Sequence, residues 1–381
     1  MNLQTKLPKV GTTIFSVMSQ LSAEQGAINL GQGFPDFEGP QALKDALSRA
    51  LNDGRNQYAP APGIPQLREQ IAAKTERLYG CAVNPDTEIT VTSGATEALF
   101  AAIAATVRRG DEVIVFDPCY DSYEPAIDLQ GARTVHLALE APEFGLPFAA
   151  LEAAINDRTR MIIINSPQNP TGAALRTEDL DQLAALIADR EIYVLSDEVY
   201  EHIIFDGLKH ATVLAHPQLA PRSFAISSFG KTYHITGWKV GYCIAPPALT
   251  AEFRKVHQYL TFCSFHPAQV ALAEFMAADQ QHYLDLPAFY QAKRDFFADA
   301  LKASRFKLMP VRGSYFQLVD YSAISNQSDM EFCRWLTTEH KVAAVPISPF
   351  CETPPEGRYA RLCFAKEDDT LLEAAQRLCR V

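Results

Sequence analysis

Two ionisable residues, Asp197 and Lys231, each follow an apolar stretch that the sequence pattern predicts to be a buried strand. A carboxylate in apolar surroundings is costly unless a cation pairs with it, and a protonated ring nitrogen is such a cation. A partly desolvated lysine tends to lose its charge, and the neutral amine can attack an aldehyde. Taken singly, these residues are also compatible with a capping aspartate and a solvated lysine in a loop.

The segment Ser93–Thr96 joins a predicted strand to a predicted helix through small residues. Such a turn presents free backbone N–H groups and the positive end of the helix dipole, which suits an anion such as phosphate. A simple N-capped helix explains the same pattern. The segment Gly230–Thr232 lacks the upstream glycine of a P-loop, and no Gly-x-Gly-x-x-Gly motif occurs, so nucleotide binding is not supported.

The elements that would position these residues are apolar strands that alternate with helical stretches between about residues 65 and 245. The predicted strands end at Gly94, Pro118, Pro167, Glu198 and Lys231, and a sixth covers residues 237–246. Strands that are apolar on both faces and separated by helices indicate a mostly parallel sheet covered by helices. Ligands of such sheets bind beyond the carboxyl ends of the strands, where Asn169 and Tyr200 also lie.

The sequence favours a division into three segments, because 381 residues fit two domains better than one. Residues 1–44, rich in glycine and proline, are expected to form an N-terminal arm and part of the small domain rather than a core element. Residues 45–280 are expected to form the large domain. Residues 281–381 are expected to form a smaller α+β domain, with strands at GSYFQLVDY, VAAVPIS and YARLCFA.

Composition excludes several classes of protein. A net charge of -11 without a basic run argues against a nucleic-acid partner. No apolar stretch of signal-peptide or membrane-spanning type occurs, so no membrane partner is expected. The 8 cysteines form no Cys-x-x-Cys pair and the 9 histidines show no metal-ligand spacing, so no metal is expected. We therefore expect a cytoplasmic protein with reduced thiols.

The order of the motifs along the chain is more specific than any one of them. The chain resembles the class I aminotransferases of fold type I, which use pyridoxal phosphate, at Asn169–Gly172, Ser196–Tyr200, Ser228–Thr232 and Gly237–Gly241. It further resembles the kynurenine/glutamine transaminase branch, and most closely the bacterial methionine aminotransferases, at INLGQGFPDF, NQYAP, FDPCYDSYEP and the late Ala-Arg-Leu-Cys-Phe. This resemblance implies an α/β fold with a seven-stranded, mostly parallel sheet, and ping-pong transfer of an amino group to an α-keto acid.

The resemblance also implies a role for each residue around the cofactor. Lys231 would bind pyridoxal phosphate covalently and move the proton between the substrate Cα and the cofactor, while Asp197 would keep the pyridine nitrogen protonated. Asn169 and Tyr200 would hydrogen-bond the phenolic oxygen, and Tyr120 would stack on the ring. The residues expected around the phosphate are Gly94, Ala95, Thr96, Ser228, Lys239 and, from a neighbouring subunit, Tyr58.

For the substrate, the resemblance implies that Arg361 binds the α-carboxylate, because its planar fork matches a carboxylate bidentately. Asn169 and the backbone of Gly33 would support that contact, and Phe262 would face the substrate side chain. Only this one arginine can be assigned, and the stretches near the site are aromatic or apolar. We therefore expect large uncharged donors to be preferred, methionine first, then aromatic amino acids, leucine, glutamine or kynurenine, with aspartate poor.

Two further expectations concern assembly and alternative functions. Tyr58 lies in the loop that this family sends to its neighbour, so the resemblance implies a homodimer with shared active sites. A β-lyase that acts on cystathionine or cysteine conjugates is the alternative activity, because the same kind of site can eliminate a leaving group from Cβ. A regulatory ligand-binding protein is disfavoured, because residues 1–30 contain no helix-turn-helix and little positive charge.

Overall fold

The computed structural model describes residues 4–381, and the elements below belong to that range. The strands are β1 (Ile28–Asn29), β2 (Ile89–Thr92), β3 (Glu112–Asp117), β4 (Arg133–Ala138), β5 (Thr159–Asn165), β6 (Tyr193–Asp197), β7 (Ser223–Ser228), β8 (Gly241–Ile244), β9 (Lys307–Leu308), β10 (Phe316–Asp320), β11 (Val342–Ala343), β12 (Val345–Pro346) and β13 (Tyr359–Cys363). The α-helices are α1 (Ile14–Gln25), α2 (Gln41–Asn52), α3 (Pro65–Tyr79), α4 (Ala95–Thr106), α5 (Tyr123–Leu129), α6 (Phe148–Ala154), α7 (Thr177–Leu186), α8 (Phe229–Thr232), α9 (Pro247–Leu260), α10 (His266–Ala278), α11 (Gln281–Ala300), α12 (Asp329–Glu339) and α13 (Asp368–Leu378).

A seven-stranded sheet forms the centre of the larger part of the molecule. Its strand order is β2-β8-β7-β6-β5-β3-β4, and β8 runs antiparallel to both of its neighbours while the other pairs are parallel. The prediction of a mostly parallel sheet is therefore confirmed. The carboxyl ends of β5, β6 and β7 meet at one edge of this sheet, at Asn165, Asp197 and Ser228.

The apolar strands are buried because helices cover both faces of the sheet. In β3, Val113 and Val115 contact one hydrophobic cluster, while Ile114 and Phe116 contact a different one on the opposite face. Successive side chains of a strand point to opposite faces, so a strand covered on both sides must be apolar at every position. Truncating a fully buried side chain such as Ile114 to alanine would cost about 2–5 kcal/mol of stability.

Strand β4 was not predicted, because its sequence does not look like a buried strand. It lies at the edge of the sheet and pairs only with β3. Its first and last residues are exposed and the others are half-buried. An edge strand that faces solvent needs no continuous apolar run, so the pattern that reveals the inner strands is absent there.

A smaller group of elements packs beside this sheet. Strands β12, β13, β10 and β9 form a four-stranded sheet with antiparallel pairing, and α12 and α13 lie in the same stretch of chain. The mixture of strands and helices predicted for the last hundred residues is confirmed. Near the other end of the chain, β1 pairs in parallel with β11. The boundaries proposed at residues 44 and 280 stay predictions.

The expectation that the first 44 residues form no core element is wrong for residues 14–25. Helix α1 begins where the Thr13 side chain accepts a hydrogen bond from the Ser16 backbone, and it ends at Gly26 in the left-handed conformation. Its residues Ile14 and Met18 are buried in the same hydrophobic cluster as α12 and α13. The glycine- and proline-rich segment that follows α1 obscured the helical pattern. No helix in residues 4–381 is long and apolar enough to cross a membrane.

Candidate active site

A cavity of about 250 Å³ lies at the carboxyl ends of β5, β6 and β7. Most of the residues that the sequence predicted for one site line this cavity: Gly33, Gly94, Ala95, Thr96, Tyr120, Asn169, Asp197, Tyr200, Ser228, Lys231, Lys239 and Arg361. They come from segments that are far apart in sequence, and the parallel sheet collects them because its strands end together. This position agrees with the general placement of ligands in open α/β sheets.

Asp197 is the last residue of β6 and is buried. Its Oδ2 atom accepts a hydrogen bond of 2.7 Å from the hydroxyl of Tyr123, a residue that the sequence analysis did not single out. Burial raises the pKa of the Asp197 carboxyl to about 6, against the hydrogen bonds from Tyr123 and from the Val199 backbone. An additional cation next to Asp197 would lower this pKa again and so favour the ionised carboxylate.

Lys231 lies in the short helix α8 rather than at the end of a strand, which corrects the prediction that strand β7 continues to this residue. Its Nζ atom donates hydrogen bonds to the hydroxyl of Tyr315 at 2.9 Å and to the carbonyl of Gly33 at 3.2 Å. Burial, helped by the nearby Arg361 and Lys239, lowers the pKa of the Lys231 amine to about 8, while Cys363 and Asp197 act in the opposite direction. The amine therefore loses its proton far more readily than a solvated lysine does.

One end of the cavity is built to receive an anion. Helix α4 begins at Ala95, and its first turn, with Thr96, lines the cavity. Gly94 has φ of +81°, and a side-chain carbon at that position would lie 3.2 Å from the Nζ atom of Lys239. A side chain at residue 94 would therefore crowd this part of the cavity. Three groups that suit an anion line it: the N-terminus of α4, the Lys239 ammonium and Ser228.

Arg361, on β13, lines the cavity and is almost completely buried. Its Nη1 atom donates to Oδ1 of Asn169 and its Nη2 atom donates to the Gly31 carbonyl, both at 2.7 Å. The ring of Phe316 lies 4.0 Å from the guanidinium carbon, and the ring of Phe15 lies 5.1 Å from it. The two bonds use two of the five N–H groups of the guanidinium, so three N–H groups remain without a partner in the described residues, that of the buried Nε atom among them.

Gly33 separates Lys231 from Arg361. A side-chain carbon at Gly33 would lie 2.9 Å from the ring of Phe316 and 3.9 Å from Nη2 of Arg361. The absence of a side chain therefore keeps the space in front of the arginine open. The sequence analysis expected the backbone of this glycine at the substrate site, and the geometry is compatible with that expectation.

Two tyrosines, Tyr120 and Tyr200, also line the cavity, and each packs against a second tyrosine. The ring of Tyr120 lies edge-on to that of Tyr123, and its hydroxyl is 3.4 Å from Oγ1 of Thr96. Tyr200 packs edge-on against Tyr315 at a centroid distance of 5.1 Å, and burial raises the pKa of its hydroxyl well above the usual value. Phe15, expected from the sequence to form part of the pocket, lines the cavity. Residues that line or adjoin the cavity but were not predicted as site residues include Gln32, Leu99, Tyr123, Asn165, Val199, Tyr315 and Phe316.

Two predicted site residues, Tyr58 and Phe262, do not line the cavity of this chain. Their rings meet edge-on at a centroid distance of 5.2 Å, and Tyr58 is 81% exposed while Phe262 is 47% exposed. They lie on the surface with two further exposed aromatic residues, Tyr259 and Phe265. The four residues Tyr58, Tyr259, Phe262 and Phe265 are called the aromatic patch below.

The fold and the cavity define a class of enzyme that the comparisons with known proteins also identify. The family model for aminotransferases of class I and II matches residues 25–378, and the chain belongs to this family. The enzyme is an amino-acid aminotransferase of fold type I, and its cofactor is pyridoxal phosphate.

Individual relatives show which aminotransferases the chain resembles in sequence and structure. The methionine aminotransferase of Escherichia coli (strain K12) is 56% identical over 375 residues, which cover 98% of this chain and 97% of the relative. The human kynurenine–oxoglutarate transaminase 3 is 33% identical over 405 residues, with 98% and 89% covered. The crystal structure of YbdL from Escherichia coli, reported to have a methionine aminotransferase function, superposes with a TM-score of 0.97, at 55% identity and with 100% of both chains covered.

These relatives confirm the resemblance to the class I aminotransferases and to the kynurenine and methionine aminotransferases. Amino acids and α-keto acids are accordingly the small-molecule partners of the enzyme. The comparisons give no support to the alternative of a β-lyase.

Proposed function

We propose that this enzyme transfers amino groups from large uncharged L-amino acids, with methionine preferred, to an α-keto acid. The observation that carries the proposal is the charge of the cavity. Its lining cations are Lys231, Lys239 and Arg361, and each has a task that leaves none for a carboxylate on the substrate side chain. A dicarboxylic substrate would place that second carboxylate in the cavity without a partner, which is costly.

The proposed tasks follow from where each cation lies. Lys239 and the N-terminus of α4 suit the cofactor phosphate, and Arg361 retains N–H donors beyond the two that bind Asn169 and Gly31. Lys231 is the amine that binds the cofactor, because its pKa is lowered to about 8 by burial and its Nζ atom faces the cavity. The donor set therefore fits pyridoxal phosphate and the carboxylate of an amino acid.

Other residues would orient these groups. Asp197 is buried with a pKa of about 6, so a cationic pyridine nitrogen next to it would hold its carboxylate in the ionised form. Tyr123 fixes the Asp197 carboxylate in place through its hydroxyl. We assign Tyr120 to the ring face, and Asn169 with Tyr200 to the phenolic oxygen. When bound, pyridoxal phosphate supplies the electron sink that stabilises negative charge at the substrate Cα.

We assign the transfer of the proton at the substrate Cα to Lys231. Its neutral amine has a lone pair that can take up a proton, and its charged form can return one, so a pKa near 8 suits both steps. Burial of the cavity excludes bulk water from this exchange. Arg361 holds the α-carboxylate between the rings of Phe15 and Phe316, and this fixes the direction in which the Cα proton points.

The preference for large uncharged side chains rests on the apolar part of the wall. Phe15, Leu99, Val199 and Phe316 line the cavity. Burial of apolar surface is worth about 25 cal/mol per Å², and a thioether packs well against ring edges. Methionine therefore gains on both counts, and the name of the Escherichia coli relative supports the same substrate.

We also infer that two chains assemble into a cytoplasmic homodimer with shared sites. The aromatic patch exposes four large side chains, of which Tyr58 and Phe262 are in contact, and exposed apolar patches commonly mark interfaces. A symmetric dimer would cover the patch and bring Tyr58 towards the phosphate of the neighbouring subunit, as the resemblance implies. Phe262 would then belong to the substrate site of that neighbour.

Initial rates with a common keto-acid acceptor test the substrate preference. Glutamine and glutamate have nearly the same shape and differ in charge, so we expect kcat/KM to favour glutamine by about tenfold or more. Methionine compared with glutamine tests the apolar wall, and methionine should be the better donor. Lys231→Ala provides the background rate. A kcat/KM for glutamate or aspartate above that for methionine would refute the preference, although the chain would remain an aminotransferase.

A further inference from the structure

Tyr315 is fully buried and contacts Lys231, yet no task in the reaction has been assigned to it. Its hydroxyl lies 2.9 Å from Nζ of Lys231 and 2.6 Å from the carbonyl oxygen of Gly33. The same carbonyl oxygen lies 3.2 Å from Nζ of Lys231. The three atoms thus form a closed triangle of hydrogen-bonding groups at the wall of the cavity.

The Tyr315 hydroxyl lies closer to the Gly33 carbonyl oxygen, at 2.6 Å, than to Nζ of Lys231, at 2.9 Å, and this difference assigns its proton to the carbonyl. The Gly33 carbonyl only accepts, so the single proton of the Tyr315 hydroxyl points to Gly33. The hydroxyl therefore faces Lys231 with its lone pairs and accepts a hydrogen bond from the amine. A neutral amine has two N–H groups, and the triangle uses both of them, one on Tyr315 and one on Gly33.

We propose that Tyr315 is a positioning residue that holds the Lys231 amine with its lone pair directed into the cavity. With both N–H groups bound at the wall, the remaining tetrahedral position of the nitrogen carries the lone pair. That lone pair is the part of the amine that attacks a carbonyl carbon or takes up a proton. The inference rests on the proposed role of Lys231 as the reacting amine.

The aromatic neighbours of Tyr315 keep its hydroxyl in place. Its ring packs edge-on against Tyr200 and against Phe316, at centroid distances of 5.1 Å and 4.9 Å. Tyr290 packs on it at 5.7 Å and is equally buried. The hydroxyl of Tyr290 has no hydrogen-bond partner among the described residues, so Tyr290 supplies a matched control in the same cluster.

The test compares Tyr315→Phe with Tyr290→Phe, because both variants keep the ring and remove one hydroxyl. In the enzyme loaded with cofactor, Tyr315→Phe should lower kcat by about ten- to a hundredfold, the range expected for a lost hydrogen bond to a charged or reacting group. The KM for methionine should stay within about threefold, since the hydroxyl acts on the amine and not on the substrate. Tyr290→Phe should leave both constants unchanged.

A second readout does not depend on the loaded enzyme. The full-length chain freed of cofactor is acetylated with acetic anhydride at several pH values, and mass spectrometry quantifies the modification of Lys231. The groups that face this amine are Tyr200, Tyr315, Asp197, Cys363, Arg361 and Lys239. Tyr315→Phe removes one acceptor that stabilises the ammonium form, so the labelling midpoint should fall by about half a unit to one unit. Recovery of activity when cofactor is added back shows that the chain kept its fold.

A kcat within about threefold of the Tyr290→Phe value, or an unchanged labelling midpoint, would overturn the positioning role. A failure of the underlying assignment gives a different result. If borohydride reduction fixed the cofactor to another lysine in the unaltered enzyme, the proposed role of Lys231 would fall, whatever Tyr315→Phe did.

Discussion

Two sets of aromatic side chains in this molecule differ in their surroundings: one lies around a buried arginine and the other is exposed on the surface. Phe15 and Phe316 enclose Arg361 within one chain, from helix α1 and strand β10. The aromatic patch, by contrast, projects from the surface, where Tyr58 and Tyr259 are 81% and 87% exposed. The first set packs around a charged group inside the fold of a single chain, whereas the second set remains exposed, with the rings of Tyr58 and Phe262 packed edge-on against each other.

This difference distinguishes the part of the active site that one chain can form alone from the part that we propose needs a second chain. The proposed carboxylate site is completed within one chain, because the Arg361 guanidinium donates to Asn169 and Gly31 and packs against the rings of Phe15 and Phe316. The phosphate end has a helix N-terminus and Lys239, but not Tyr58. We therefore expect mutations at the lysine and the arginine to act within a chain, and mutations in the aromatic patch to act between chains.

The largest effect is expected at Lys231. Lys231→Ala removes the reacting amine, so transamination should fall by about four decades or more. Borohydride treatment of the unaltered enzyme should fix the cofactor to Lys231, and mass spectrometry of the digested protein would locate it. In the variant Lys239→Ala the cofactor should bind more weakly but still be fixed to Lys231. Reduced cofactor on Lys239 instead would show that the assignment is wrong.

A smaller but still large effect is expected at Arg361. Arg361→Ala leaves a carboxylate without its partner in a buried site, which costs about 3–5 kcal/mol, or two to three decades in kcat/KM for methionine. Arg361→Lys should recover little, because an ammonium cannot reproduce the planar fork. The visible spectrum of the bound cofactor should be retained in both variants.

The control for Arg361 is Arg358→Ala, a half-buried arginine just before β13 that does not line the cavity. Its steady-state constants should match those of the unaltered enzyme. A loss below about tenfold in Arg361→Ala would mean that another residue holds the carboxylate.

The smallest effect is expected in the aromatic patch. Tyr58→Phe removes one hydrogen bond to the phosphate across the proposed interface, so the Kd of the cofactor should rise by about tenfold. Tyr259→Phe, the other exposed tyrosine of the patch, should leave this constant unchanged. Mixing Tyr58→Phe chains with Lys231→Ala chains should create heterodimers with one unimpaired site.

The mixed dimers sharpen the comparison, because shared sites predict more activity than the sum of the two separate variants. Activity equal to that sum would show that Tyr58 serves its own chain. A fully active monomer at micromolar concentration, measured by light scattering, would remove the basis for an interface at the patch.

Much of the site could be predicted from the sequence because its residues lie at strand ends. Asn169, Asp197 and Ser228 all belong to apolar strands or to the turns directly after them, and a parallel sheet brings such ends together. The apolar runs of β5 and β6 are visible without any structure, since strands buried on both faces must be apolar throughout. The order of motifs along the chain supplied the family.

Other parts of the site could not be predicted, because their partners are far apart in sequence. Tyr315 and Lys231 are 84 residues apart, and Tyr123 and Asp197 are 74 residues apart. Helix α1 and edge strand β4 lacked the local patterns by which the other elements were recognised. The short helix α8 was taken for the end of a strand, because four residues are too few to show a helical period.

The sequence by itself determined the class of chemistry, because the order of its motifs along the chain identifies the family, whereas the aspartate and the lysine after apolar strands are ambiguous when taken singly. Only the tertiary structure decided how those groups are held. The Tyr123 hydroxyl on Asp197, the Tyr315 hydroxyl on Lys231 and the two rings on Arg361 are contacts between distant segments. Such contacts arise from packing of whole elements against one another, and local sequence encodes each element without specifying its neighbour.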